Sequence, residues 1–149
     1  MCDSPFMPPE DLRERLATVG RNLALREGEH RAGLDDAWKR AEELHQRVSA
    51  GLVGYHEAIA KEGAAQLEVE LGRVHTDEKH VRSVEFSLAR GRHRALFVVK
   101  SKGEVIMVGP FRTGKKEGPC QPIEWRTQEE LDAAILPFLE SFLEQAATP

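Results

Sequence analysis

The chain has 149 residues, of which 40% are hydrophobic and 31% charged, and its formal net charge is -4 at pH 7. This length and composition are typical of one soluble domain with a core of its own, and they exclude a chain that is disordered throughout. The negative net charge also argues against a protein that coats nucleic acid through many phosphate contacts.

The start of the chain and its two cysteines predict the compartment. Residues 1–9 contain three prolines and predict a flexible leader, followed by a single domain over 10–149. The leader has neither the basic start nor the apolar centre of a signal peptide, and no apolar run is long enough to span a membrane. Cys2 lies in the leader and Cys120 far from it, so a disulfide scaffold is not expected. The sequence therefore predicts a cytoplasmic protein that makes no membrane contact.

A helical hairpin is predicted after the leader. Its first helix, at about 10–27, has apolar residues at steps of four and three that share one face: Leu12, Leu16, Val19 and Leu23. Residues 27–33 contain two glycines and no apolar periodicity, which predicts the turn between the helices. The second helix is predicted at about 34–62, with Gly63 ending it.

The second helix carries a heptad seam, a repeat in which apolar residues recur at steps of three and four. The seam keeps its phase across Gly51 and Gly54, which favours one helix, although a break there is left open. His45 is interpreted as a polar residue that the seam tolerates. Because such seams pair helices, the predicted association surface is formed by Leu34, Trp38, Val48, Leu52, Tyr55 and Ile59.

The middle of the chain predicts a four-stranded antiparallel meander, with strands at about 66–74, 82–90, 93–100 and 104–109. The first two strands alternate between apolar and polar residues, as strands with one buried face do. The last two are apolar on both faces. Either the helices lie on opposite faces of the sheet, or a second subunit covers one face.

A C-terminal amphipathic helix is predicted at about 127–146. Thr127 and Glu130 have the spacing of a capping box, in which each side chain satisfies a backbone N–H group near the helix start. Pro137 lies inside this helix and predicts a kink. The glycines and prolines of residues 111–126 predict an irregular, partly extended loop before it. The predicted fold class is therefore α+β, with a helical hairpin, a four-stranded meander and a C-terminal helix.

Four residues between the first two strands have side chains that bind metal ions: His75, Asp77, Glu78 and His80. A structural metal site normally takes ligands from more than one element, and polar residues are expected on a turn in any case. A solvated turn is therefore the preferred interpretation, with His75, Asp77 and His80 as weak candidates for a metal. No metal or other cofactor is predicted.

The segment from Gly109 to Lys115 resembles the phosphate-binding loop of the P-loop NTPases, GxxxxGK followed by Ser or Thr, and it follows an apolar strand. Lys116 stands where the Ser or Thr should be, and the residues after it cannot open the helix whose N-terminus must face the phosphates. An exposed basic loop is the preferred interpretation. The resemblance keeps open a small enzyme, or a nucleotide- or anion-handling protein, that uses residues 109–116.

Basic residues gather at one end of the predicted sheet, where the second and fourth strands end. They form a candidate site for an anion, an acidic peptide or RNA. Charges on hairpins also keep sheets from aggregating, and this is the preferred interpretation. The candidate residues are Arg90, Arg92, Arg94, Arg112, Lys115 and Lys116.

The sequence contains no recognisable catalytic motif. Cys120 has neither an adjacent base nor a helix N-terminus to activate it, and no pair of carboxylates lies on a common apolar face, so no catalytic residue is assigned. The sequence predicts a small, homodimeric binding or adaptor module that acts by association with itself or with another protein. An RNA-binding module that uses the basic end of the sheet is a further alternative, although nucleic acid is not the expected partner.

Overall fold

The computed structural model describes residues 9–77, 82–114 and 118–147, and for residues 9 and 10 only the backbone. These residues form an α+β fold with a long N-terminal helix, an antiparallel sheet and a C-terminal helix. The elements are α1 (Pro9–Lys61), a 3-10 helix (Ala65–Leu67), β1 (Glu70–Leu71), β2 (His75–Thr76), β3 (Ser83–Arg90), β4 (His93–Lys100), β5 (Val105–Arg112), β6 (Cys120–Ile123) and α2 (Gln128–Ala147).

The predicted helical hairpin is wrong, because α1 runs through residues 27–33 and through Gly51 and Gly54 without a break. Between Leu12 and Ile59, successive residues on one face of α1 are three or four positions apart. Their average spacing is about 3.6 residues, which is the period of a straight α-helix. A glycine costs a helix about 1 kcal/mol but, unlike proline, removes no hydrogen bond. The helix ends at Lys61, and Gly63 follows with a φ of 74°, as predicted for its C-terminal cap.

The sheet has the strand order β1-β3-β4-β5-β6, with β2 pairing with the other end of β3, and every pair is antiparallel. Strands β3, β4 and β5 lie where the sequence predicts them. The predicted strand at 66–74 is wrong over most of its length, because the Tyr55 hydroxyl donates to the Leu67 carbonyl at 2.7 Å and the Val69 N–H donates to His56 Nε2 at 3.1 Å. These bonds hold the segment against α1 rather than in the sheet.

Strand β6 lies in the segment that the sequence predicts to be an irregular loop. It pairs with β5 from Val105 to Val108 and forms one edge of the sheet. Pro122 lies within it, and an edge strand tolerates proline because one side of its backbone has no partner strand. The sheet therefore has about two more strands than predicted, both additions being short.

Both helices pack on the same face of the sheet, the inner face. Helix α1 contacts β3 and β4, and α2 contacts β4 and β5. Phe86 and Phe97 stack with ring centroids 4.7 Å apart, and Phe97 meets the edge of Phe138 in α2 at 5.3 Å. The inner-face residues are fully buried: Val84, Phe86, Leu88, Ala95, Phe97, Val99, Val105 and Met107. This arrangement excludes the alternative in which the chain's own helices cover both faces.

Helix α2 begins as the sequence predicts. The Glu130 N–H donates to Thr127 Oγ1 at 3.2 Å, and the Glu130 carboxylate accepts the Arg126 N–H at 2.8 Å. Arg47 on α1 donates two hydrogen bonds, of 2.8 and 2.9 Å, to the Asp132 carboxylate on α2, and this contact lowers the pKa of the Asp132 carboxyl.

Neither α1 nor α2 has, in its described part, an apolar stretch that could cross a bilayer.

Candidate protein-binding surfaces

The outer face of the sheet is apolar in its centre, and neither helix covers it. Leu96 and Val98 on β4 alternate with the core residues and lie beside Val108 and Ile106 on β5. All four side chains are only partly buried. We call these four residues the outer patch. Strand β6 extends the patch by one row, because Pro122 lies beside Ile106 and Cys120 beside Val108.

Glu85 forms the acidic rim of the outer patch. It lies on β3 between Val98 on one side and His75 on the other. Burial raises the pKa of the Glu85 carboxyl; His75 acts in the opposite direction, and the charge of Asp77 adds to the rise. The ionised form of Glu85 is therefore disfavoured in the folded protein.

Glu85→Gln is expected to stabilise the protein at neutral pH and to have no effect in acid. The folded protein holds this proton more tightly than the unfolded chain, whose pKa is near the ordinary 4.5. Stability of the wild-type protein therefore falls as the pH rises from about 4.5 through the raised pKa. The variant avoids this loss, and its gain should stay below about 1 kcal/mol because Glu85 is partly exposed.

Urea unfolding on either side of that pH window measures the difference. Glu57→Gln, at an exposed position of α1, is the matched control and should change stability equally at both pH values. A gain for Glu85→Gln that persists undiminished in acid would show that the carboxyl charge is not its cause.

The second apolar surface is the first part of α1. Residues 11–29 are all exposed, and the four apolar side chains that share one face there are 50 to 60% exposed: Leu12, Leu16, Val19 and Leu23. We call residues 11–32 the overhang, since they extend about 33 Å beyond the sheet. Close contact between α1 and the sheet starts at Gly33, because a Cβ at this position would lie 2.5 Å from the carbonyl oxygen of Ser101, which follows β4.

The predicted association surface lies on α1 beyond the overhang, where the helix packs on the sheet. Val48 and Leu52 are 0 and 3% exposed within the chain's own core, and Leu34, Trp38 and Tyr55 are partly buried against it; Ile59 is also partly buried. The most buried stripe passes through Ala37 and Leu44 rather than Trp38 and His45. His45 Nε2 instead lies 3.0 Å from the Gly72 carbonyl oxygen, with its ring against the edge of Phe86.

The structure describes four of the six residues of the predicted basic cluster. Arg90 donates to the carbonyl groups of Ala146 and Gln66, and Arg94 donates to those of Gly91 and His93. Arg92 and Arg112 are exposed at the same end of the sheet, where the Thr113 N–H donates to the Arg92 carbonyl at 2.8 Å. Lys115 and Lys116 lie outside the described residues. Two of the four described arginines are thus occupied with the chain's own backbone.

The segment that resembles a phosphate-binding loop begins inside a strand. Residues Gly109 to Arg112 belong to β5, and the next described element is strand β6 rather than a helix. Gly109 has a φ of 117°, and a Cβ there would lie 3.0 Å from the Arg94 carbonyl oxygen, beside an irregularity in the pairing of β4 and β5. Sheet geometry therefore accounts for this glycine, and among the described residues of the segment no helix N-terminus is available to bind a phosphate.

The remaining candidates offer little chemistry. Among the described residues, no group of three or more side chains could hold a metal ion, and Glu78 and His80 lie outside those residues. Cys120 is exposed on the edge strand.

A cleft of about 550 Å³ lies beside Arg40 and Trp125, but the Arg40 guanidinium stacks on the Trp125 indole ring at 4.1 Å from its centroid. The Trp125 indole N–H donates to the Glu43 carboxylate at 2.9 Å.

The two apolar surfaces are therefore the features of the described residues that the fold itself leaves unexplained. The outer patch belongs to the sheet, and the overhang belongs to α1. Comparison of the chain with family models, with curated proteins and with solved structures finds no match.

Proposed function

We propose that the protein is a small binding or adaptor module that acts by association with other polypeptides, without catalytic activity, and that it is a homodimer. The observation that carries this proposal is the position of both helices on one face of the sheet, so that no described helix lies over the outer patch. Antiparallel sheets with one face in water usually alternate apolar and polar residues. Four aliphatic side chains in two adjacent rows depart from that pattern and favour an interaction site.

The partner that fits the outer patch presents an apolar surface and a positive charge. Burial of the four aliphatic side chains would supply the hydrophobic contribution to binding. A lysine or arginine of the partner placed against Glu85 would favour the carboxylate form that the free protein disfavours. Pro122 on β6 supplies no N–H donor at the sheet edge, so binding by addition of a strand there is disfavoured. The face of the sheet is therefore the proposed binding surface.

The alternatives have less support. An anion- or RNA-binding role would use the basic end of the sheet, where Arg90 and Arg94 already donate to backbone carbonyl groups. An enzyme that uses residues 109–116 would need a phosphate site that strand β5 does not provide. We place the module in the cytoplasm, where an exposed thiol such as that of Cys120 stays reduced.

The test compares the wild-type protein with Val98→Lys combined with Ile106→Lys as baits in an extract of the native host. Both substitutions lie on the outer patch, so the melting temperature should change little, whereas partners of that face should be lost. Leu136→Lys, at an exposed position of α2, is the matched control and should retain them. A partner captured in this way, once purified, should bind the double variant at least about tenfold more weakly than the wild-type protein.

Two results would contradict the proposed binding surface. One is a purified partner that binds the double variant as tightly as the wild-type protein. The other is a wild-type bait that retains no protein beyond those retained by the double variant.

A further inference from the structure

We propose that residues 65–72, which we call the strap, form a pH-sensitive segment that protonation of His56 loosens from α1. The strap contains the 3-10 helix, β1 and Gly72, and it pairs with the edge of β3 that faces away from β4. The Gly72 N–H donates to the Ser87 carbonyl of β3 at 2.7 Å. This inference does not depend on the proposed function, because the strap lies along an edge of the sheet and the outer patch lies on its face.

Two histidines of α1 bind the backbone of the strap in opposite senses. The Val69 N–H can only donate, so His56 Nε2, at 3.1 Å, is the acceptor and carries no proton. The Gly72 carbonyl can only accept, so His45 Nε2, at 3.0 Å, carries a proton and donates it. When the rings take up a further proton, His45 remains a donor, whereas His56 loses the lone pair that binds Val69.

The bond to His56 lies where water replaces it poorly. Val69 is only 6% exposed, because its side chain belongs to the core. A protonated His56 ring would point an N–H group at the Val69 N–H, and this backbone donor would be left without a partner. The loss of one partner from a buried hydrogen bond is enough to shift a local opening equilibrium by about tenfold. Acid is therefore expected to open the strap more often.

Charged groups near this bond do not pair with His56. The titratable and charged residues beside it on α1, on the strap and on β3 are Tyr55, Glu57, Glu68, Glu70 and Arg90. Among the described residues, none forms an ion pair with His56. Arg90 instead donates to the carbonyl of Gln66 in the strap at 3.3 Å. Burial raises the pKa of the Glu85 carboxyl on β3, so a Glu85 variant is needed to separate its contribution.

Opening of the strap would uncover part of β3. Leu88 and Ala89 would lose the strand that pairs with them, and the Ser87 carbonyl would lose its donor. Backbone groups on an unpaired strand edge are available to an extended peptide. The strap would thus control access to this edge of the sheet in response to pH.

Hydrogen exchange of single backbone amides, followed by NMR at about pH 8 and about pH 5, measures the opening. Each exchange rate is divided by the intrinsic rate at the same pH to give an opening constant. In the wild-type protein, the opening constants of the Val69 and Gly72 amides should be at least about tenfold larger at the lower pH. Both should exceed that of Phe97 in the central strand β4, because the strap opens without unfolding of the sheet.

Three variants assign the response to one ring. His56→Gln keeps an acceptor oxygen but does not titrate, so its opening constants should differ by less than about twofold between the two pH values. His45→Gln and Glu85→Gln are the matched controls and should keep the wild-type response. A measurement on the wild-type protein complements them: imidazole nitrogen chemical shifts at the higher pH should show Nε2 unprotonated in His56 and protonated in His45.

Several outcomes would overturn the pH-sensitive strap. One is a set of wild-type opening constants that does not change with pH, and another is an Nε2 proton on neutral His56. A response that survives in His56→Gln, or that disappears in Glu85→Gln, would assign the effect to another group. A response of the Val69 amide without one of the Gly72 amide would show that a single bond is lost while the strap stays in place.

Discussion

Leu52→Asp is expected to destabilise the protein by about 3 to 5 kcal/mol, which is a large part of the stability of a typical domain. Leu52 is 3% exposed on the face of α1 that packs on the sheet. A carboxylate there would be buried without a partner, and its desolvation is the main source of the loss. Urea unfolding followed by circular dichroism measures the change.

Val53→Asp is the matched control, because it makes the neighbouring substitution at a side chain that is 53% exposed. Its effect should stay within about 0.5 kcal/mol. If the two variants lost similar stability, α1 would not pack on the sheet through the face that contains Leu52.

Phe97→Ala is expected to cost about 3 to 5 kcal/mol. Phe97 is fully buried on β4, stacks on Phe86 of β3 and meets Phe138 of α2, so its loss opens a cavity where two strands and a helix converge. Val98→Ala changes the next residue on the same strand, whose side chain lies on the outer face. Because that side chain is only partly buried, its cost should be below about 1 kcal/mol.

The pair of variants tests which face of the sheet contains the core. Thermal or urea unfolding at low protein concentration, where partners do not cover the outer face, gives both values. Equal losses for Phe97→Ala and Val98→Ala would mean that both faces are covered in solution, and the outer patch would no longer be a candidate binding surface.

Local sequence patterns predict the elements whose stabilising contacts lie close by in the chain. Strands β3, β4 and β5 follow from their β-branched and aromatic content, and the start of α2 follows from the Thr127 cap. The break at residues 27–33 is wrongly predicted, because a polar stretch with two glycines has no apolar periodicity even when it continues a helix. The short strands β2 and β6 escape prediction, and only Glu70–Leu71 of the predicted strand at 66–74 forms β1, since the position of each depends on a distant neighbour, such as β3 or β5.

The candidate surfaces also differ in whether local sequence or distant contacts determine them. The apolarity of both faces of β4 and β5 is visible in the sequence, and so is the amphipathic stripe from Leu12 to Leu23. Nothing local shows that Arg90 and Arg94 of the predicted basic cluster donate to backbone carbonyl groups of the chain itself. The association surface predicted on Val48 and Leu52 also lies in the chain's own core.

The sequence by itself determined that this chain forms an α+β fold with an apolar stripe on its first helix and two-faced strands in its sheet, because periodicity and composition are properties of neighbouring residues. Only the tertiary structure decided that both helices pack on one face of the sheet. It also decided that α1 lies against the rest of the fold only from Gly33 onward, so that its first part extends beyond the sheet. Those outcomes depend on which apolar surfaces meet across long chain separations. Within the part of the chain that the structure describes, the outer patch and the overhang are the apolar surfaces left after those contacts have formed.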